Sequence, residues 1–362
     1  MAVDVELRAL LEQGYTLPAH WYSDPAIHAL ERELIFSRYW QFVGPTEWLD
    51  RDGAYFAGRA GHVPVVVVRD GNEIRAFVNV CRHRGHIVAH DRGCQRTLQC
   101  PYHAWTYGLD GSLRNAPRAN LEAGFNAAEL GLLPVAVDTW GPLVFVNPDA
   151  DAAPLQESLG PLTGHVAASG VDLTALRLRR VEHSITDVNW KTALENTLEC
   201  YHCQVAHPGF SRVIDVAKSA YELTAEGLLL SQFGPAKTGD DPRRPPMPHG
   251  IVEQAQYHVI FPSSSVDMVP GPPNLQAYAW APISPSKMAS TTFSWFSEET
   301  TEEEIDQIIA FNDEVSAEDA ALVDSVQEGL DSGVVPYGRL MPESEALIGR
   351  FQRLLYDALA GA

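Results

Sequence analysis

Two short runs decide the reading of this chain: Asn79-Val80-Cys81-Arg82-His83-Arg84-Gly85 and Cys100-Pro101-Tyr102-His103-Ala104-Trp105-Thr106-Tyr107. They offer two thiolates and two imidazoles, spaced Cys-x-His and then Cys-x-x-His. Two chemistries accept that set. One is a [2Fe-2S] centre in which two histidines replace two cysteines on one iron, which raises the reduction potential. The other is a structural zinc site with two cysteines and two histidines. Zinc loops usually open with two cysteines two to four residues apart, and the first pair here is Cys-x-His. The spacing favours the iron–sulfur centre, with Cys81, His83, Cys100 and His103 as its ligands.

Outward from these runs the pattern is β-rich, from about Trp40 to Val146. Val63 to Val68 predicts a buried strand, Asp70-Gly71-Asn72 a hairpin turn, and Ile74 to Val80 the return strand. Leu109-Asp110-Gly111-Ser112 predicts a second tight turn, and Leu143 to Pro148 closes the region. Both ligand runs are expected at hairpin tips, where backbone N–H groups can point at cluster sulfurs and tune the potential. In this setting the two runs resemble the cluster loops of the oxygenase-type Rieske domain. Respiratory-chain Rieske proteins carry a further cysteine in each loop, forming a disulfide. Here the first loop has none, and Cys94, between the loops, reads as a small buried residue.

The chain has 362 residues, enough for two domains and a substantial core. Its formal charge of −21 excludes nucleic acid, which needs a basic surface, and weakly favours a basic partner or a cationic ligand. Five cysteines, two of them assigned to the cluster, imply no disulfide framework and fit a reducing, cytoplasmic setting. The start, Met1 to Leu7, lacks a signal-peptide core, and no run of about eighteen apolar residues predicts a membrane span.

Beyond the polar, alanine-rich stretch from Asp149 to Ala153 the pattern becomes mixed. Strands are expected at Arg177–Ile185, Tyr257–Phe261, Gln276–Trp280 and Thr291–Phe296. Helices are expected at Trp190–Ala206, Glu302–Leu330 and Glu343–Leu359. Gly234 to Gly250 reads as a mobile loop. The expected class is α+β: a small β Rieske domain over 40–150, and a larger catalytic domain over 151–362 with an antiparallel sheet covered by helices. A helical segment, 1–39, packs on the latter.

A second metal site is expected along Glu199-Cys200-Tyr201-His202-Cys203-Gln204-Val205-Ala206-His207-Pro208. Glu199 and His202 are three apart and share a helix face. Pro208 pushes His207 out of the helical region and can return it beside His202. Two imidazoles and one carboxylate form the facial triad of non-haem Fe(II), with positions left open for O₂. The carboxylate is assigned to Asp319. It continues the apolar stripe Leu322, Val323, Val326 and Leu330, and an inward carboxylate is costly unless paired or metal-bound. Glu318 falls on another side.

Asn189-Trp190-Lys191, Glu195-Asn196, Glu199, Tyr201-His202 and His207-Pro208 resemble the iron signature of Rieske non-haem iron oxygenases. That resemblance spans nearly the whole chain. It implies a terminal oxygenase component that consumes O₂ and takes electrons from NAD(P)H through a separate reductase, carrying flavin or an iron–sulfur centre, or through a ferredoxin. It implies a homotrimer in which Glu199 bridges His202 of its own chain and His103 of a neighbour, although the family usually has Asp there. No Gly-x-Gly-x-x-Gly run opens a helix after a strand, so no nicotinamide or flavin site is expected in this chain.

Glu199 to Cys203, and the tail Gly338 to Glu345, are similar to members acting on betaines and other quaternary ammonium compounds, by N-demethylation or C–N cleavage. Such a substrate would want an aromatic cage, and Tyr201, Phe210, Tyr221, Tyr278, Trp280, Trp295 and Phe296 are its candidates. Three alternatives stay open. One is an aromatic-ring hydroxylase or O-demethylase, with an arginine from Asp241-Pro242-Arg243-Arg244-Pro245 for a carboxylated substrate. The others are an electron-transfer Rieske protein without oxygenase activity and a zinc-stabilised binding module.

Overall fold

Alternation of apolar side chains along a strand sets the first unit. In the computed structural model, which describes residues 5–360, the chain forms two compact units. One is Phe36–Leu155, and the other joins Met1–Ile35 to Gln156–Ala362.

The Phe36–Leu155 unit holds ten strands: β1 Gln41–Pro45, β2 Ala54–Ala60, β3 Val63–Asp70, β4 Glu73–Val78, β5 Arg92–Cys94, β6 Thr97–Gln99, β7 Thr106–Gly108, β8 Leu113–Asn115, β9 Pro134–Trp140 and β10 Leu143–Asn147. Seven pair antiparallel in the order β1-β10-β9-β4-β3-β2-β5, and β6-β7-β8 form a small sheet. Successive residues of a strand point to opposite faces. Val65 and Val67 pack with Leu49, Phe56, Val144 and Val146. Val66 and Val68 pack on the other face with Phe77, Cys81, Cys100 and Tyr107. One valine run thus anchors both the sheet core and the floor under the ligand loops. Gly71 (φ 59°) supplies the left-handed residue that the β3–β4 hairpin needs. Cys94, expected inside, is exposed. It ends β5, the edge strand, whose three residues all face solvent.

The second unit is built on a seven-stranded antiparallel sheet of β11 Leu176–Thr186, β12 Glu222–Glu226, β13 Leu229–Pro235, β14 Gln254–Ile260, β15 Ser264–Met268, β16 Asn274–Ser284 and β17 Lys287–Ser297, in the order β11-β17-β16-β15-β14-β13-β12. Its helices are α1 Val5–Glu12, α2 Pro25–Leu34, α3 Leu155–Leu159, which starts at the unit boundary, α4 Leu162–Ala168, α5 Trp190–Asn196, α6 Cys203–Ala206, α7 Phe210–Val213, α8 Glu302–Asp331 and α9 Ala346–Ala360. Helices α1 and α2 pack on α9.

Two helical expectations change. The single helix over Trp190–Ala206 is broken between α5 and α6. The Glu199 carboxylate accepts the backbone N–H groups of Tyr201 and His202, and Gln232 Nε2 donates to the Thr197 carbonyl at 2.6 Å. Local partners thus take the groups that a continuous helix would use. Helix α8 runs unbroken for 30 residues from a Thr301–Glu304 capping box. Its inner ridge near the site is Asp319, Val323 and Gln327, four residues apart each time. Leu322 and Val326 are 37% and 52% exposed, so they are not the inner stripe.

Beneath the site lies a polar anchor. Glu31 of α2 and Lys191 of α5 form a fully buried ion pair, and Trp190 Nε1 donates to Glu31 at 2.9 Å. Beside it the Tyr22 hydroxyl and Gln352 Nε2 donate to Glu195 at 2.8 and 3.0 Å. Burial pushes Glu195 up to about 7 against these bonds. Removing one partner of a buried pair strands the other charge. Lys191→Met is expected to cost about 3–5 kcal/mol in urea unfolding. Adding Glu31→Leu should return most of that loss.

Candidate active site

Both cysteine–histidine loops are closed by their own backbone. In the first, Val80 bridges Ile87, and the Cys81 N–H donates to the His86 carbonyl at 2.8 Å. In the second, at the β6–β7 tip, the Cys100 N–H donates to the Trp105 carbonyl at 2.8 Å, and Ala104 takes a left-handed φ of 58°. Cys81 and Cys100 are buried and unpaired, while His83 and His103 are exposed with ring centres 4.7 Å apart. His83 stacks on Trp105 at 4.9 Å. The Tyr107 hydroxyl lies 3.2 Å from Cys81 Sγ and accepts the Arg82 N–H at 3.0 Å. Burial pushes the Cys100 thiol up; backbone N–H groups of Tyr102 and His103 pull it down, and the Cys81 thiol adds to the rise. Two facing sulfurs, one met by backbone N–H groups and one by the Tyr107 hydroxyl, with two outer imidazoles, fit a [2Fe-2S] centre of mixed ligation.

In the second unit, the broken helix, the Pro208 turn and α8 bring His202, His207 and Asp319 together, with one ligand atom from each within 4.8 Å of the others. His202 Nδ1 meets Glu199, and His207 Nδ1 meets Glu318 Oε2 at 2.7 Å. Each ring therefore turns Nε2 inward. The two Nε2 atoms are 3.1 Å apart, and Asp319 Oδ1 lies 2.9 Å from that of His207 and 3.5 Å from that of His202. With both Nδ1 atoms turned to carboxylates, both Nε2 atoms and Asp319 Oδ1 meet at one point. That point calls for positive charge, a proton or a metal ion, and a divalent metal fits the donor set once both rings are neutral.

The electrostatics agree. Burial opposes charge on His202, but Asp319 and Glu199 outweigh it and push its pKa up to about 9. Burial likewise opposes charge on Asp319, but bonds from His202, His207 and Asn196 pull it down to about 2. Glu318, which the sequence reading set on another side, is the partner of His207. The i, i+1 pair straddles the ring, one carboxylate at each nitrogen. Cys200 and Cys203, expected as free thiols, are joined in a disulfide.

The trio opens into a cavity of about 500 Å³. The sheet is its floor. One row of facing residues, Gln232, Tyr257, Asp267, Gln276, Ser294 and Arg180, crosses neighbouring strands from β13 to β11. Tyr278 and Trp280, stacked at 5.5 Å, continue it along β16. Tyr221 and Phe210 also line the cavity. Among the sequence candidates, Tyr201 is 59% exposed and outside the lining, while Trp295 and Phe296 are fully buried in the core. Tyr257 and Asp267 were missed. Their signal, alternation along β14 and β15, needs the sheet register to show which face is the floor.

Residues 173–361 match the family described as ring hydroxylating alpha subunit (catalytic domain), and residues 39–126 match the Rieske [2Fe-2S] domain. The chain is 31% identical to the chloroplastic choline monooxygenase of Atriplex hortensis, over 96% of this chain and 79% of that one. It is 31% identical to the carnitine monooxygenase oxygenase subunit of Escherichia coli (strain K12), over 92% and 89%. Among solved structures, the quaternary ammonium Rieske monooxygenase CntA with gamma-butyrobetaine superposes with a TM-score of 0.81 at 28% identity, covering 95% of each chain. Naphthalene 1,2-dioxygenase from Rhodococcus sp., at 20% identity and a TM-score of 0.79, shares the fold. The chain belongs to the ring-hydroxylating alpha-subunit family of Rieske oxygenases. It is an O₂-using oxidoreductase of that family, with a Rieske cluster and a mononuclear iron as its cofactors. The family needs an electron donor and O₂. Among the described residues, no helix is long and apolar enough to cross a membrane.

Asp267 is set apart from the iron site. Its Oδ1 is shielded from solvent without a hydrogen-bond partner, as is the Tyr257 hydroxyl. Burial pushes Asp267 up to about 7 against the Ser265 hydroxyl and the His258 backbone. Between its ordinary value near 3.8 and about 7, the folded protein holds a proton that the unfolded chain releases. Asp267 therefore lowers stability as pH rises through that window. The Asp267→Asn protein should match the wild type in Tm near the lower end and gain on it up to about pH 7, levelling beyond.

Proposed function

We propose that this chain is the terminal oxygenase of a multicomponent system and oxidises a small quaternary or related ammonium compound at an N-methyl or adjacent carbon. The observation that carries this is a single cavity that joins the His202, His207 and Asp319 trio to Phe210, Tyr221, Tyr257, Tyr278 and Trp280. Aromatic faces attract a desolvated cation, and aliphatic ammonium groups suit such a lining. The choline and carnitine monooxygenases among the relatives support it. The arginines proposed for a carboxylated aromatic substrate do not line the cavity, and Arg244 donates to the Arg212 and Thr238 carbonyls instead.

In this reading Cys81, His83, Cys100 and His103 hold the cluster, and His202, His207 and Asp319 hold the iron. The iron, when bound, supplies O₂ activation next to the substrate. The residues of the chain orient that chemistry. Glu199 and Glu318 hold the Nδ1 protons and fix both rings. The aromatic walls keep water out and hold the ammonium carbon toward the trio. Oxidation at that carbon gives a hemiaminal that collapses to an aldehyde and an amine. Electrons come from NAD(P)H through a separate reductase or ferredoxin, in the cytoplasm. A homotrimer with Glu199 bridging to His103 of a neighbour is the assembly this reading favours. Inter-subunit electron transfer is named for the quaternary ammonium monooxygenase of the same fold.

The test is reductase-coupled oxygen uptake with aldehyde detection, across small ammonium compounds and aromatic acids. Aldehyde released in step with uptake is expected from an ammonium compound; a phenol or ring diol from an aromatic acid would move the chain to ring hydroxylation. Asp319→Ala should lose about one iron per chain and all turnover while the cluster spectrum persists, and His83→Ala should lose the cluster signal alone. Glu199→Ala should keep both metals yet stop turnover. Normal turnover in that variant would remove Glu199 from the electron path.

A further inference from the structure

The cavity carries charges that the iron site does not use, and most of them are acidic. Among the described lining residues Arg180 is the sole permanent cation, and it is held by Glu182 and by Asp313 at 3.0 Å. Asp267, by contrast, sits in the middle row of the floor with Tyr257 and Gln276 as its cross-strand neighbours. Its Oδ1 is buried and unpartnered. Tyr257 faces it across the strands, Tyr278 pairs with Ser265 two residues away on the same face, and Tyr221 lines the same cavity with its hydroxyl 3.4 Å from Gln232 of the row. A buried carboxyl with one oxygen unpartnered keeps its proton up to about pH 7, and a cation seated against it and the aromatic faces would favour its charged form. Elsewhere in the lining, Asn312 Nδ2 on α8 is a buried donor without a partner. It offers a neutral hydrogen bond to an oxygen on the ligand. No free cation waits for a ligand carboxylate, and one neutral amide would not offset burying a second carboxylate near Asp267.

We propose that Asp267, ringed by Tyr221, Tyr257 and Tyr278, is the counter-charge for the ammonium head, and that it makes the chain selective for net-cationic ammonium compounds with a neutral hydroxyl or carbonyl tail over zwitterionic betaines. This rests on the ammonium reading above and narrows it. Asp267 acts by binding and positioning, and the iron ligands are untouched by it.

The test is direct binding to the holoenzyme, followed by calorimetry or by quenching of the cavity tryptophan, with three ligands of similar size. Choline has the cation and a hydroxyl, glycine betaine the same cation and a carboxylate, and 3,3-dimethylbutan-1-ol the same shape without charge. Choline is expected to bind at least about tenfold tighter than the other two. Asp267→Asn should weaken choline about 30-fold or more, the loss typical of removing one partner of a buried charge pair, and shrink its advantage over the neutral alcohol. The variant's thermal midpoint, equal to or above that of the wild type, shows that the loss is not unfolding. Betaine binding as tightly as choline, or an unchanged choline affinity in Asp267→Asn, overturns the assignment and leaves the ammonium reading standing. Failure of both ammonium ligands to bind the wild type overturns the two together.

Discussion

Two imidazole nitrogens held 3.1 Å apart in front of a carboxylate call for positive charge between them, and the second unit is arranged to hold them there. The helix that would have run through His202 is broken because Glu199 spends its carboxylate on the backbone of Tyr201 and His202 as well as on the ring. The break lets His202 and His207, five residues apart, face one point. Helix α8 then brings Glu318 and Asp319 as neighbours, one for each side of the His207 ring. Four carboxylate and imidazole contacts fix ring orientation before any metal is bound, which is how outer partners tune a metal centre.

This constellation needs a rigid support, and the support is polar. Helix α5 ends at Asn196, whose side chain bonds Asp319, and begins at Trp190 and Lys191, which close on buried Glu31. Gln327, two turns beyond Asp319 on α8, accepts the Asn189 N–H and the Thr192 hydroxyl, both at 2.9 Å. A buried network of this kind adds little net stability over an apolar core. Its value lies in register: α2, α5 and α8 can meet in one arrangement only if every partner is satisfied. The cavity floor makes the opposite choice, leaving Asp267 Oδ1 and the Tyr257 hydroxyl without partners. Polar groups of this unit are thus satisfied between the helices of the scaffold and left open on the cavity floor.

Legibility from sequence divided along the same line. The cluster loops could be read because their ligands sit within seven residues of one another in two runs, and tight turns are local events. The β hairpins around them, and the strands over Arg177–Ile185 and Thr291–Phe296, followed from alternation. The long α8 followed from its helical pattern over Glu302–Leu330. Among the features misread are the helix through Trp190–Ala206, the inner stripe of α8, and the burial of Cys94. In each case a distant contact overrode a local pattern. Gln232 captures the Thr197 carbonyl, α5 selects the ridge of α8, and pairing order makes β5 an edge.

The sequence by itself pointed to the donor chemistry: two Cys-His pairs in short runs, and two histidines that call for a carboxylate from elsewhere. These depend on residue type and short spacing, which the chain carries in one dimension. Only the tertiary structure decided that Glu318 partners His207, that Tyr257 lines the cavity while Trp295 lies in the core, and that Asp267 faces the cavity unpaired. Those outcomes depend on strand register and helix rotation. A one-residue slip of a strand would turn its cavity face away, and the rotation of α8 is held by contacts such as His207–Glu318, 111 residues apart.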